Sequence, residues 1–280
     1  MIVFSKIPLI REYIDGVKNQ GLKVGFVPTM GALHAGHLQI IQQSKEADDV
    51  TVVSIFVNPT QFNDKNDYRN YPVDRYQDLA SLEALQCDVV FNPHEKEMYP
   101  DEDNRAFDFG YLGEIMEGLH RPGHFNGVAQ IVSKLFDAVN PQKAYFGEKD
   151  YQQLIIINKM VEQLQYDIEI VSAPVIREKD GLAMSSRNAL LNETQRKAAP
   201  LVYETLAKSK SLASQLSIEE VKNWVFEKIN SHPLFSVEYF DIVDQENLQK
   251  VKNWNDNCPK IGCIAVFLGR VRLIDNIKYQ

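Results

Sequence analysis

Two histidines three residues apart, His34 and His37, stand where an apolar run gives way to a helical pattern. At that spacing both side chains project from one side of a helix's first turn. The free N–H groups and dipole of a helix N-terminus favour negative charge. Gly31 and Gly36 leave the backbone around them open to a ligand. Met30, Gly31, Ala32, Leu33, His34, Ala35, Gly36 and His37 are therefore read as a phosphate-binding segment. Lys149 and Arg187 are fixed positive charges, and Ser185 and Ser186 are hydroxyl donors, all suited to oligophosphate oxygens. Asn58 and Gln61 are neutral groups that can hydrogen-bond a small polar acid without titrating. Blander readings stand beside these. A glycine in a strand–helix turn is commonly a turn residue, Asp150 could be an N-cap, and Ser185-Ser186 could be an exposed loop. His-x-x-His could also be half of a metal site, but no third ligand lies at a familiar spacing.

These residues need elements to hold them. Residues 22–27 read as a strand and the pattern after His37 as a helix to about Ala47. Residues 50–57 form a valine- and isoleucine-rich run suited to a strand buried on both faces of a parallel sheet. A helix over 74–85 and a strand over 87–91 follow. Residues 111–118 read as a short helix, 120–125 as a loop and 127–139 as a helix. A strand over 143–146 runs into Gly147, Glu148, Lys149 and Asp150, and then come a helix over 151–164 and a strand over 168–176. This alternation predicts an α/β fold, a Rossmann-like doubly wound parallel sheet over residues 1–176. After Arg177 the texture changes. Helices over 193–213 and 218–229 precede strands over 235–243 and 261–273, with a bend at Gly269. A second, smaller α+β domain is expected over 177–280. In an open parallel sheet ligands bind beyond the carboxyl ends of the strands, and the polar residues named above all follow strands. A polar pocket assembled from distant parts of the chain is the expectation.

Composition narrows the classes. The chain has 280 residues, 44% hydrophobic and 24% charged, as in ordinary globular proteins. Its net charge of −8 argues against nucleic acid or anionic membrane as the main partner. The three cysteines, Cys87, Cys258 and Cys263, match no zinc or redox spacing and read as small buried residues in a reducing compartment. No signal-peptide pattern and no long apolar run is seen, so a cytoplasmic protein is expected. The chain lacks a P-loop, a Gly-x-Gly-x-x-Gly dinucleotide fingerprint and a Gly-x-Ser-x-Gly nucleophile elbow.

The motifs together carry a resemblance. His34-Ala-Gly-His37 resembles the signature of the His-x-Gly-His nucleotidyltransferases and class I aminoacyl-tRNA synthetases, and Met184-Ser-Ser-Arg187 is similar to their second, mobile phosphate-binding motif. Five stretches in order resemble the pantoate–β-alanine ligase family. They are Pro28-Thr-Met-Gly-Ala-Leu-His-Ala-Gly-His37, Phe56-Val-Asn-Pro-Thr-Gln-Phe62, Arg121-Pro-Gly-His-Phe125, Tyr145-Phe-Gly-Glu-Lys-Asp-Tyr-Gln-Gln-Leu154 and Met184-Ser-Ser-Arg-Asn188. One departure is Val73-Asp74 after Tyr71-Pro72, where the family commonly has arginine.

The resemblance implies ATP-dependent ligation of (R)-pantoate and β-alanine to pantothenate through a pantoyl adenylate, with AMP and pyrophosphate released. It implies that ATP is held by residues 30–37 and 147–150, by Ile176 through its backbone, and by Met184, Ser185, Ser186 and Arg187. It further implies that His37, His34, Lys149, Ser185, Ser186 and Arg187 serve the chemistry. Gln61 and Gln153, with Asn58 near, would hold pantoate or β-alanine. Mg2+ would sit mainly on phosphate oxygens with no protein ligand named, residues 177–280 would act as a lid, and the protein would be a homodimer. The alternatives are a related transferase acting on a phosphoalcohol and a non-catalytic nucleotide sensor.

Overall fold

The computed structural model describes residues 1–63, 68–69 and 71–279. It divides into two compact units, Met1–Glu148 with Ile156–Pro174, and Lys149–Ile155 with Val175–Gln280.

The first unit is built on a six-stranded parallel sheet: β1 (Ile2–Phe4), β2 (Val24–Thr29), β3 (Val50–Ile55), β4 (Val89–Phe91), β5 (Lys143–Gly147) and β6 (Glu169–Ala173), in the order β1-β4-β3-β2-β5-β6. Helices α1 (Ile7–Asn19), α2 (Ala35–Ala47), α3 (Arg75–Ala84), α4 (Glu95–Met98), α5 (Met116–His120), α6 (His124–Val139) and α7 (Tyr151–Leu164) connect the strands. All six residues of β3 are buried, as a central parallel strand requires. Val27, Ile41, Val53, Leu82 and Val90 form the core on one face. On the other, Phe26 meets Phe136 edge-on, with centroids 6.3 Å apart. The chain leaves β2 toward β3 on one side, while β5 lies on the other. The topological switch point therefore falls at the carboxyl ends of β2 and β5. β5 pairs only with Gly25 and Phe26 of β2, well short of that end.

The second unit carries a three-stranded antiparallel sheet, β7 (Phe235–Asp244), β8 (Lys260–Leu268) and β9 (Val271–Tyr279), with helices α8 (Glu193–Ala198), α9 (Leu201–Leu212) and α10 (Ile218–Asn230). Val202, Leu206, Val221, Val225, Phe240 and Ile264 belong to its core.

The structure corrects several element boundaries. The three-residue edge strand β1 is too short for periodicity to reveal. Residues 111–118 are a 3-10 turn, Gly110–Gly113, followed by α5. The expected loop over 120–125 already contains the first turn of α6, entered from Gly123 in the left-handed region. The helix expected over 193–213 is two helices, because Pro200 has no N–H to continue the first. The strand expected over 261–273 is the hairpin β8–β9, whose two-residue loop begins at Gly269 with φ +61°. Cys87 and Cys263 are buried thiols, whereas Cys258 is half-buried.

The irregular segment after α4 is stapled to α6. The Gln130 amide donates to the carbonyls of Asp103 (2.9 Å) and Arg105 (2.8 Å), and the Phe107 N–H donates to Asn126 Oδ1 at 2.8 Å. The Arg105 guanidinium grips Asp103 through Nε (2.9 Å) and Nη2 (2.7 Å), which holds that carboxyl well below the usual carboxylate range, against burial. A depressed native pKa contributes stability above the unfolded value of about 4, and that stability is lost as the pH falls. Arg105→Ala is therefore expected to lower stability at pH 7, with the deficit shrinking below about pH 4. Urea titrations across pH measure this, and a deficit independent of pH would deny the ion pair its part.

Candidate active site

β2 ends at Thr29, and Met30, Gly31, Ala32 and Leu33 make the turn into α2. Gly31 (φ +78°) and Ala32 (φ +51°) are both left-handed, a conformation costly for alanine unless its surroundings enforce it. The enforcing group is Asp78 on α3. Its carboxylate is buried and accepts the N–H groups of Ala32 (3.0 Å) and Leu33 (2.7 Å). Thr29 Oγ1 takes the Gly31 N–H at 3.2 Å and donates to the Ser54 carbonyl at 2.7 Å. A Cβ on Gly31 would stand 2.7 Å from Asp78 Oδ2, so the close approach also requires glycine. Burial pushes the Asp78 carboxyl up, and its bonds to the Leu33 and Ala32 amides pull it back. Asp74, in the Val73-Asp74 departure, caps α3 by accepting the Gln77 N–H at 3.0 Å.

This turn delivers the histidines. His34 is the N-cap residue of α2, and its ring stacks on that of His37 with centroids 4.0 Å apart. The His34 N–H donates to His37 Nδ1 at 3.4 Å. An accepting Nδ1 means a neutral His37 ring with its proton on Nε2. Gly147, at the end of β5, sits where a Cβ would lie 3.4 Å from Ile40 of α2. Gly147 thus packs against α2, the helix that carries the histidines at its start, beside the switch point.

Gln61 closes a 3-10 turn, Pro59–Gln61, after β3. Its amide donates to Met30 Sδ at 2.9 Å, linking it to the histidine turn. Asn58 is buried, and its side chain is taken up by protein groups. Nδ2 donates to the carbonyl of Gly127 (3.0 Å), Thr60 Oγ1 (3.0 Å) and Gln61 Oε1 (3.3 Å). Its Oδ1 accepts the Tyr99 hydroxyl at 2.7 Å. The Arg121-Pro-Gly-His124 motif holds the other side of the turn. His124 Nδ1 donates to the Gln61 carbonyl at 2.8 Å, and its Nε2 lies 3.1 Å from Arg121 Nη1. A carbonyl can only accept and a guanidinium can only donate, so His124 is the neutral Nδ1–H tautomer. Gly127 lets α6 approach, since a Cβ there would fall 2.4 Å from the Thr60 carbonyl oxygen.

In the second unit, Lys149 and Asp150 belong to the 3-10 turn Glu148–Asp150, with Lys149 Nζ 3.2 Å from the Asp150 carboxylate. Gln152 is buried, and Gln153 beside it is half-buried. Ile176 leads a small antiparallel hairpin in which Arg177 bridges Ala183. The Met184 N–H donates to the Ile176 carbonyl at 2.9 Å. Ser185 caps the 3-10 helix Ser186–Leu190 by accepting the Arg187 N–H at 3.3 Å. Asn188 ties that loop back to Glu178 Oε1 (3.0 Å) and the Ala183 carbonyl (3.1 Å). Ile176 and residues 184–187 are thus one structural piece, and both Ser186 and Arg187 are half-buried on it.

Sequence reasoning missed Asp78, His124 and Arg121 as supports. Asp78 sits one helix turn after the cap Asp74, on an otherwise unremarked helix, and no local pattern flags it. His124 stands within the motif Arg121-Pro-Gly-His-Phe125, and the Gln61 carbonyl it holds lies 63 residues away.

A doubly wound sheet with a stacked His-x-Gly-His pair at the head of the helix after β2 defines the class of nucleotide-using α/β enzymes of the His-x-Gly-His type. The comparisons narrow the class. The family model for pantoate-beta-alanine ligase matches residues 2–278. The pantothenate synthetase of Bacteroides fragilis is 52% identical over 280 residues, covering 100% of this chain and 99% of the relative. The solved pantothenate synthetase of Thermus thermophilus aligns with a TM-score of 0.91 at 40% identity, with 100% of each chain covered. The Francisella tularensis pantoate-beta-alanine ligase, solved with beta-gamma ATP and beta-alanine, gives 0.83 at 38% identity, covering 99% of this chain and 97% of that one. The chain belongs to the pantoate-beta-alanine ligase family.

Asp78→Ala frees two amides of a strained turn. It is expected to cost about 3 kcal/mol of stability, the scale of hydrogen bonds to a charged acceptor, and to lower turnover at least about tenfold through the displaced histidines. Urea unfolding and an AMP-release assay measure the two effects. Unchanged turnover would mean that the turn holds its shape without the carboxylate.

Proposed function

We infer that the chain is the ligase for which its family is named, joining pantoate to β-alanine with ATP as co-substrate. The observation that carries the reading is the stacked His34–His37 pair on a turn whose amides Asp78 holds. In the first step a pantoate carboxylate oxygen attacks the α-phosphorus of ATP, and the bond to pyrophosphate breaks. In the second, the amine of β-alanine attacks the acyl carbon, the bond to AMP breaks, and the nitrogen gives up a proton.

The anionic pentavalent phosphorus needs donors fixed beforehand. A neutral His37 with Nε2–H can donate to a phosphate oxygen without surrendering its proton, which suits a step whose leaving group departs as an anion. His34 supports it by stacking. Lys149 neutralises phosphate charge as a point charge, and Arg187, with Ser185 and Ser186, provides the fork and hydroxyls of the second phosphate motif. Met30, Gly31, Ala32, Leu33, Ala35, Gly36, Gly147, Glu148 and Ile176 serve the nucleotide through backbone and shape, and Asp150 suits a ribose hydroxyl. Gln61 and Gln153 hold pantoate, Gln61 later serving β-alanine. Asn58 acts through Gln61, because its own polar atoms are bonded to protein. Among the described residues no group of three or more His, Cys, Asp or Glu is placed to hold a metal. Mg2+, implied by the use of ATP, would sit mainly on the phosphate oxygens and supply countercharge there.

The enzyme is taken as a cytoplasmic homodimer of small-molecule specificity. No helix among the described residues is long and apolar enough to cross a membrane, and the net charge of −8 disfavours nucleic acid.

AMP release, assayed with each substrate omitted in turn, should require ATP, pantoate and β-alanine together, while pyrophosphate exchange into ATP should require pantoate alone. His37→Ala and Lys149→Ala should each lower that exchange by about 10²–10³-fold, with urea midpoints close to that of the unaltered enzyme. Exchange driven equally well by a phosphoalcohol would overturn the substrate, and near-normal exchange in either variant would remove that residue from the mechanism.

A further inference from the structure

The last strand, β9, carries two adjacent polar residues that are both buried, Asp275 and Asn276. Neighbours on a strand point to opposite faces. Asp275 shares its face with the buried Leu273 and Tyr279, where alternation calls for an apolar side chain. It meets Arg177 there. The guanidinium donates to Asp275 through Nη1 (2.6 Å) and Nη2 (2.9 Å), and also to the carbonyls of Gly181 (3.2 Å) and Asn276 (3.2 Å). Its plane lies 3.9 Å over the Tyr203 ring. On the opposite face the Asn276 side-chain amide donates to the backbone carbonyl of Lys149 at 3.1 Å. Two residues further along that face, Lys278 stands 6.0 Å over the ring of Tyr151.

One dipeptide therefore holds two segments that the sequence separates by almost thirty residues. Asp275 fixes Arg177 and with it the hairpin that carries Ile176 and leads into residues 184–187. Asn276 fixes the turn that presents Lys149. A buried ion pair is weak as a stability device, because desolvation cancels much of its attraction and apolar replacements are commonly as stable. Its geometry is another matter, since a bidentate fork fixes direction as well as distance.

We propose that Asp275 and Asn276 are positioning residues that set Lys149 and the Arg177-to-Arg187 segment in one fixed frame for the adenylation step. The proposal rests on the role given to Lys149 and Arg187 above. Asn276 acts through Lys149, and Arg177, gripped by Asp275, acts through the Arg187 loop.

The test is a pair of double-mutant cycles read by pantoate-dependent pyrophosphate exchange in the full-length enzyme. Asn276→Ala should lower kcat about tenfold, one hydrogen bond's worth, with KM for pantoate unchanged. In the Lys149→Ala background the same change should cost less than about twofold, because the side chain it orients is gone. Arg177→Lys keeps the charge but loses the fork. It should lower kcat in the unaltered enzyme and have little further effect in Arg187→Ala. Ser209→Ala, which removes a 2.6 Å bond to Tyr279 at the end of the same strand, should lower Tm while leaving kcat intact. Full additivity in both cycles would overturn the proposal, as would an equal kcat loss in Ser209→Ala. Near-normal exchange in Lys149→Ala alone would instead sink the earlier role of Lys149, and the two failures are distinguishable. Should Asn276→Ala not fold, the Arg177→Lys cycle decides the question alone.

Discussion

The carboxylate of Asp78 holding two backbone amides of a left-handed turn is the interaction on which the histidine pair depends. A loop beyond a parallel strand has no ladder to fix it, so its shape must come from side chains that reach its backbone. Ala32 at φ +51° shows the need, because that conformation does not persist in an alanine without external bonds. Asp78 supplies them from a helix whose own N-terminus is capped by Asp74. The acid is buried to do so, and burial raises its carboxyl above the ordinary range while the two amides lower it again. The histidines inherit their stacking from this arrangement, and His37 its neutral state from the amide that occupies Nδ1.

The same physics recurs around Gln61. A short 3-10 turn has poor internal hydrogen bonding, and it is clamped from three directions. Asn58 and Tyr99 hold the side-chain end, His124 with Arg121 holds the backbone carbonyl, and Gly127 lets the α6 backbone close in. The first two clamps are polar groups in buried or half-buried settings, where a missing partner is costly. Such networks tolerate little rearrangement, which is what the pantoate-binding role proposed for Gln61 requires.

Much of the fold was legible in the sequence because hydrophobic period is a property of neighbouring residues. The valine run of β3, the strand–turn–helix around residues 24–47 and the helix Tyr151–Leu164 all follow from it. The failures have equally local causes. β1 has three residues and too few alternations to register. Pro200 interrupts a helical pattern without altering its apolar spacing. Gly269 was seen as a bend within one strand because the β8 and β9 runs are both apolar across the turn. Within the candidate site, the groups proposed to meet phosphate and acid stand in motifs legible in the sequence. The groups that hold them are not legible in that way. Asp78, His124 and Asn276 stand 45, 63 and 127 residues from the backbone atoms they hold, and only the fold joins such pairs.

That separation explains why polar residues at buried positions carry the most information here. Asp78, Asn58, His124, Asp275 and Asn276 all violate the rule that puts apolar side chains inside. None is needed to drive collapse, because the apolar residues of the two cores already do that. An apolar replacement would satisfy the hydrophobic pattern yet leave a turn's amides or carbonyls without partners. Burying these five polar side chains costs desolvation and gains backbone geometry that hydrophobic packing, being non-directional, cannot impose. At Asp78 on α3 and at Asp275 and Asn276 on β9, the break in the apolar pattern marks a side chain that holds another segment of the chain in place.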